Sequence, residues 1–74
     1  MTDQDMRVLK KIRNSPGGAT AIDIARASLG WKARKHSPTS LNMIGLGIAA
    51  RLCGEGLIEP TRTNLFKIRR EAAA

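Results

Sequence analysis

The chain has 74 residues, enough for one domain with a modest core, because a chain of this length buries only about 60% of its unfolded surface. Thirteen Lys and Arg residues against six Asp and Glu residues give a net charge of +7, which favours a polyanionic partner. No apolar run approaches the roughly 18 residues of a membrane span, the acidic N-terminus is unlike a signal peptide, and a single Cys excludes an internal disulfide, which together predict a cytoplasmic protein.

The first predicted helix begins after Thr2, a good N-cap that is followed by acidic residues at positions 3 and 5. Its apolar residues recur at helical spacing and are expected to face the core: Met6, Val8, Leu9 and Ile12. The turn-forming sequence Asn-Ser-Pro-Gly-Gly at 14–18 ends this helix.

A short second helix is predicted over 21–28, because the preceding Thr20 and the acidic Asp23 fit a capping box with Asp in place of Glu. The side chains of Ile24, Ala25 and Leu29 are expected to pack against the rest of the domain.

A basic connection, residues 29–36, follows the second helix. It is about twice as long as the three- or four-residue turn of a helix-turn-helix. Either the second helix runs on through Trp31, or the connection is an inserted basic loop. In both cases Trp31 is expected in the core or over the helix junction.

The third predicted helix begins at Ser37 and Pro38, an N-cap followed by proline at the first helical position. Projection at 100° per residue separates two faces. The inward face holds Leu41, Ile44, Gly45, Ile48 and Leu52. The outward face holds Thr39, Asn42, Met43, Leu46, Gly47, Ala50 and Cys53.

Residues 45–50 of this helix also fit the G-x-G-x-x-G/A pattern of a dinucleotide-binding loop. That pattern requires a preceding strand and an acid about 20 residues on, and neither is present. His36 and Cys53 are the only His and Cys, so no metal cluster and no Cys-His-acid set is expected. The sequence therefore predicts a protein that is not an enzyme, with no catalytic residue, metal or cofactor.

Two short strands are predicted at 57–59 and 65–68, joined by a loop of hairpin composition. The expected fold is mainly α with a small β-hairpin, in the order helix-helix-helix-strand-strand. One domain is expected over 1–70, followed by a disordered tail at 71–74.

This order resembles the winged helix-turn-helix DNA-binding family. The segment "IAARLCGEGLIEPTRTNLFKI", above all "RLCGEGLIEP", is similar to the end of that family's recognition helix running into its wing. The likeness covers about residues 3–70 and implies a small DNA-binding regulator or accessory factor, associated with the nucleoid. Winged helices also serve as protein-interaction modules, which leaves that alternative open.

The resemblance implies that the N-terminal part of the third helix enters the major groove. Candidate contacts with bases or nearby phosphates are Thr39, Ser40, Asn42 and Met43. Candidate contacts with the backbone phosphates are Lys32, Arg34, Lys35 and His36. Arg62, at the tip of the wing, is expected to reach a phosphate or the minor groove.

The outward face of the third helix also supports a different hypothesis. Met43, Leu46, Ala50 and Cys53 form an apolar stripe that would suit a homodimer seam or a protein partner, unless the first helix or the basic connection covers it. Structured RNA is a third possible partner, through the same basic surface.

Overall fold

The structure is a computed structural model that describes residues 2–61 and 65–69. Its elements are α1 (Asp3–Arg13), α2 (Ala21–Leu29), a 3-10 helix (Gly30–Lys35), α3 (Pro38–Gly54), β1 (Ile58–Pro60) and β2 (Phe66–Ile68). The predicted fold, mainly α with a small β-hairpin, is confirmed. We call the 3-10 helix the basic turn. The expected tail at 71–74 lies outside the described residues.

Each α-helix begins at the polar residue that the sequence predicts. The side chain of Thr2 accepts a hydrogen bond from the Asp5 backbone N–H at 3.1 Å, and Ser37 accepts one from the Ser40 N–H at 3.1 Å. At α2 the capping box is complete, since the Thr20 hydroxyl and the Asp23 carboxylate each accept from the other residue's backbone N–H. These bonds satisfy N–H groups that have no partner within the helix.

The two strands pair in antiparallel register, with Ile58 opposite Ile68 and Glu59 opposite Lys67. A third segment joins them, because Ala19 and Phe66 exchange two backbone hydrogen bonds of 2.9 and 2.8 Å. The sequence did not predict this bridge, because a segment with a single paired residue shows no alternation of apolar and polar side chains. It ties the link between α1 and α2 to the hairpin.

The core is built from every major element. Its largest fully buried side chains are Val8 from α1, Ile24 from α2, Leu52 from α3 and Ile58 from β1. Helix α2 packs against both other helices, so it forms the centre of the domain.

Helices α2 and α3 approach each other closely at Gly45 of α3. A Cβ added to Gly45 would lie 1.7 Å from the carbonyl oxygen of Ala21, the first residue of α2. Gly45 therefore has the inward, close-packing position that the sequence predicts, because only hydrogen leaves room for the α2 backbone.

Met6 and Trp31 are not in the core, contrary to expectation. Met6 is 58% exposed, because the buried line of α1 runs through Asp5, Val8 and Ile12 and leaves Met6 about 100° beyond it. Trp31 is 69% exposed and lies beside Lys35, whose Nζ is 5.5 Å from the ring centroid. Only Ala33 of the basic turn reaches the core.

The 29–36 connection is not a continuation of α2. Helix α2 ends at Leu29, and Gly30 then adopts a left-handed φ of +63° while its N–H donates to the Arg26 carbonyl. The backbone continues as the basic turn, so of the two predicted forms the continuation of α2 through Trp31 is wrong.

Candidate nucleic-acid interface

The basic turn exposes three cations because of how it is anchored. Ala33 is buried, while Lys32 and Arg34 on either side of it, and Lys35, are exposed. A 3-10 helix has three residues per turn, so a single inward residue leaves its neighbours directed to solvent. The three cations are therefore accessible to a phosphate.

The basic turn leads directly into the N-terminus of α3. His36 is exposed, and its N–H donates to the Ala33 carbonyl at 3.1 Å. In the first turns of α3, Thr39, Asn42 and Met43 are exposed and Ser40 is half-buried. The structure thus places the candidate residues from 32 to 43 along one continuous segment of basic turn and helix start.

The electrostatic environment of this segment is positive. No acidic residue lies between Asp23 and Glu55 in the sequence. Asp23 itself is occupied by the capping box of α2. The N-terminus of α3 adds the positive end of a helix dipole, which favours an anion.

Arg51 lies in the same acid-free interval, but its charge is used within the fold. Its guanidinium contacts both carboxylate oxygens of the buried Asp5, at 2.5 and 3.1 Å, and Glu55 at 3.4 Å. The hydrogen bonds with Arg51 hold the pKa of Asp5 below its usual range, despite the opposing effect of burial. This pair joins α1 to α3 and was not predicted, since the two residues are 46 positions apart.

The outward face of α3 is exposed, and from Met43 to Ala50 its exposed residues are apolar. Met43 is 69% exposed and Leu46 is 48% exposed, and Gly47 and Ala50 are exposed beside them. An added Cβ on Gly47 would meet nothing within 4 Å. Within the described structure, neither α1 nor the basic turn covers this face.

Cys53 does not belong to the exposed stripe, contrary to prediction. It is half-buried, packs against the core that includes Leu52 and Ile58, and has a thiol pKa raised by burial. The predicted stripe therefore keeps Met43, Leu46 and Ala50 only.

The hairpin supplies further cations that the sequence analysis did not single out. Lys67 and Arg69 are exposed, alternating with the half-buried Phe66 and Ile68. The alternation of apolar and basic residues could have indicated their exposure, because successive side chains of a strand point to opposite faces. Arg62, predicted at the wing tip, lies outside the described residues.

A second group of cations lies on α1. Arg7, Lys10, Lys11 and Arg13 are exposed there, and Arg7 also donates to the Ser28 carbonyl at 3.1 Å. Positive charge alone therefore does not single out the basic turn. What singles it out is its position beside the exposed start of a helix.

Across residues 2–61 and 65–69, no group of three or more His, Cys, Asp or Glu side chains is arranged to hold a metal ion. In the same ranges, no helix has the length and apolar character needed to cross a bilayer. No family model, curated protein or solved structure matches the chain.

Proposed function

We propose that this protein binds duplex DNA through the basic turn and the first turns of α3, as a small regulator or accessory factor. The observation that carries the proposal is the exposure of Lys32, Arg34 and Lys35 immediately before the exposed N-terminus of α3. The element order, which resembles a winged helix-turn-helix domain, adds support.

In this proposal the cations bind phosphates and the helix enters the major groove. Lys32, Arg34, Lys35 and His36 contact the backbone and displace counterions, which supplies affinity without sequence preference. Thr39, Ser40, Asn42 and Met43 then lie near phosphates or base edges. The hairpin, with the exposed Lys67 and Arg69, contacts the adjacent backbone as a wing.

The salt dependence of binding tests this arrangement. We expect the affinity for a random-sequence duplex, measured by fluorescence anisotropy, to fall linearly with salt on logarithmic axes. Lys35→Ala should reduce the slope by about 0.9, the value for a single neutralised phosphate. Lys10→Ala removes the same charge from α1 and should leave the slope unchanged.

Two results would contradict the proposal. One is the absence of duplex binding at low salt. The other is an equal change of slope for Lys35→Ala and Lys10→Ala, which would indicate a diffuse charge effect without a defined contact surface.

A second candidate function is binding to protein through the outward face of α3. The exposure of Met43 and Leu46 favours it, because large apolar side chains in an uninterrupted patch commonly mark an interface. Sedimentation at rising concentration tests a homodimer. Self-association that Leu46→Asp abolishes would support this function, and a monomer throughout would oppose a homodimer.

Structured RNA is the remaining alternative for the basic surface. Its deep, narrow major groove does not admit a helix, so the proposal predicts that duplex RNA competes poorly with duplex DNA. Equal or stronger competition by RNA would contradict the major-groove arrangement.

A further inference from the structure

The outward face of α3 lacks the charged side chains that most specifically recognise G·C pairs. Bidentate recognition of guanine uses Arg or Lys, and recognition of cytosine uses Asp or Glu. Arg51 is the only charged residue between Pro38 and Gly54. Its guanidinium is held by Asp5 and Glu55, so α3 has no unengaged cation to offer a guanine.

The same face carries groups that match A·T pairs. In the major groove the thymine 5-methyl is an apolar group, and adenine presents the N6 and N7 pair that an Asn amide can bind. Met43 and Leu46 are exposed apolar side chains three residues apart, and Asn42 is exposed beside them. On a helix, residues at this spacing share one face.

The backbone of α3 can also come close to the groove. Gly47 follows Leu46, and a Cβ built there would meet nothing within 4 Å. Ala50, one turn beyond Leu46, is small and exposed. Gly47 and Ala50 are too small to keep the longer side chains of Met43 and Leu46 away from a groove edge.

We infer that α3 selects A·T-containing duplex, with Met43 and Leu46 contacting thymine methyl groups and Asn42 binding adenine. The inference rests on the proposed DNA-binding function and adds its specificity. Affinity comes from the basic turn, and the choice of base pair comes from an uncharged helix face.

Alternating duplexes of about two helical turns test the inference. The first two probes are an A·T duplex and the same DNA with uracil in place of thymine (A·U), which lacks only the 5-methyl groups. The other two are a G·C duplex and the same DNA with 5-methylcytosine in place of cytosine. We expect A·T to bind most tightly and A·U to bind about fourfold more weakly for each thymine methyl that the helix touches. The methylated G·C duplex should bind more tightly than plain G·C.

Variants assign the effect to residues. The double substitution Met43→Ala and Leu46→Ala should bring the A·T to A·U affinity ratio close to one, and both side chains are exposed, so folding should persist. Met6→Ala is the matched control, because Met6 is also a largely exposed methionine but lies on α1. It should leave the ratio unchanged. Asn42→Ala should weaken binding to A·T and A·U alike.

The outcomes separate the inference from the function on which it rests. Equal binding to A·T and A·U, with duplex binding intact, overturns the specificity and leaves the DNA-binding proposal standing. No binding to any of the four duplexes overturns both. A concentration-dependent dimer that buries Met43 and Leu46, and that the double substitution disrupts, also overturns the inference.

Discussion

The two faces of α3 differ most clearly at two glycines that are only two residues apart. Gly45 faces inward, where an added Cβ would lie 1.7 Å from the Ala21 carbonyl oxygen. Gly47 faces outward, where an added Cβ would meet nothing within 4 Å. Both lower the intrinsic helix propensity of the same helix by about 1 kcal/mol relative to alanine.

The comparison shows that glycine is present for a different reason on each face of α3. At Gly45 the missing side chain is required by the fold, because the backbone of α2 occupies the space. At Gly47 nothing within the described structure requires it. An unfavourable residue with no structural reason in the free protein is consistent with a surface on which another molecule comes close, as we propose.

Gly45→Ala should have the largest effect. The new methyl group would collide with backbone, which cannot move aside as a flexible side chain can, so α2 and α3 must separate. We expect the free energy of unfolding to fall by about 3 kcal/mol or more, the upper end of the range for overpacking. Urea unfolding measures it, and a decrease below about 1 kcal/mol would show that the helices separate easily.

Asp5→Asn should have an intermediate effect on the free energy of unfolding. The variant loses the charge that Arg51 binds, so it should be less stable than the parent at neutral pH. The pKa of Asp5 is lower in the folded protein than in the unfolded chain, where it is about 4. The Asp5 carboxylate therefore stabilises the fold fully above the unfolded pKa, and this stabilisation is lost as the pH falls through the folded pKa.

Urea unfolding at a series of pH values should therefore show the parent and Asp5→Asn converging below about pH 4. The remaining carboxylates are identical in the two proteins, so their contributions cancel in the comparison. A difference that stays constant down to the most acidic pH would mean that the Asp5 carboxylate does not supply the stabilisation.

Gly47→Ala should have the smallest effect and the opposite sign. Alanine is the better helix former and nothing is near the new methyl group, so the free energy of unfolding should rise by about 1 kcal/mol. Thermal unfolding measures the change. Because the substitution is chemically identical to Gly45→Ala, equal destabilisation by both would remove the distinction between the two faces.

The helices were the most predictable part of the fold, because their signals are local. Thr2, Thr20 and Ser37 cap N–H groups only three residues away, so each helix start could be identified from a short segment. The exposed positions of α3 also followed from its period. Helical projection put Cys53 on the exposed stripe because it considers one helix alone, whereas in the folded domain Cys53 is half-buried against the core.

The exposure of the candidate site was less predictable from sequence. Trp31 is apolar and was expected inside, yet the left-handed turn at Gly30 and the 3-10 backbone turn its ring outward beside Lys35. Arg51 has the same charge as Arg34 in the sequence, and only the distant Asp5 identifies Arg51 as a cation engaged within the fold.

The sequence by itself determined the order of elements, the helix caps, the inward position of Gly45 and the excess of positive charge. Each of these depends on residues within about one turn of one another, or on composition. The tertiary structure decided the Asp5–Arg51 pair, the Ala19–Phe66 bridge and the exposure of Met6 and Trp31. These depend on which distant segments pack together, and a local pattern carries no information about that choice.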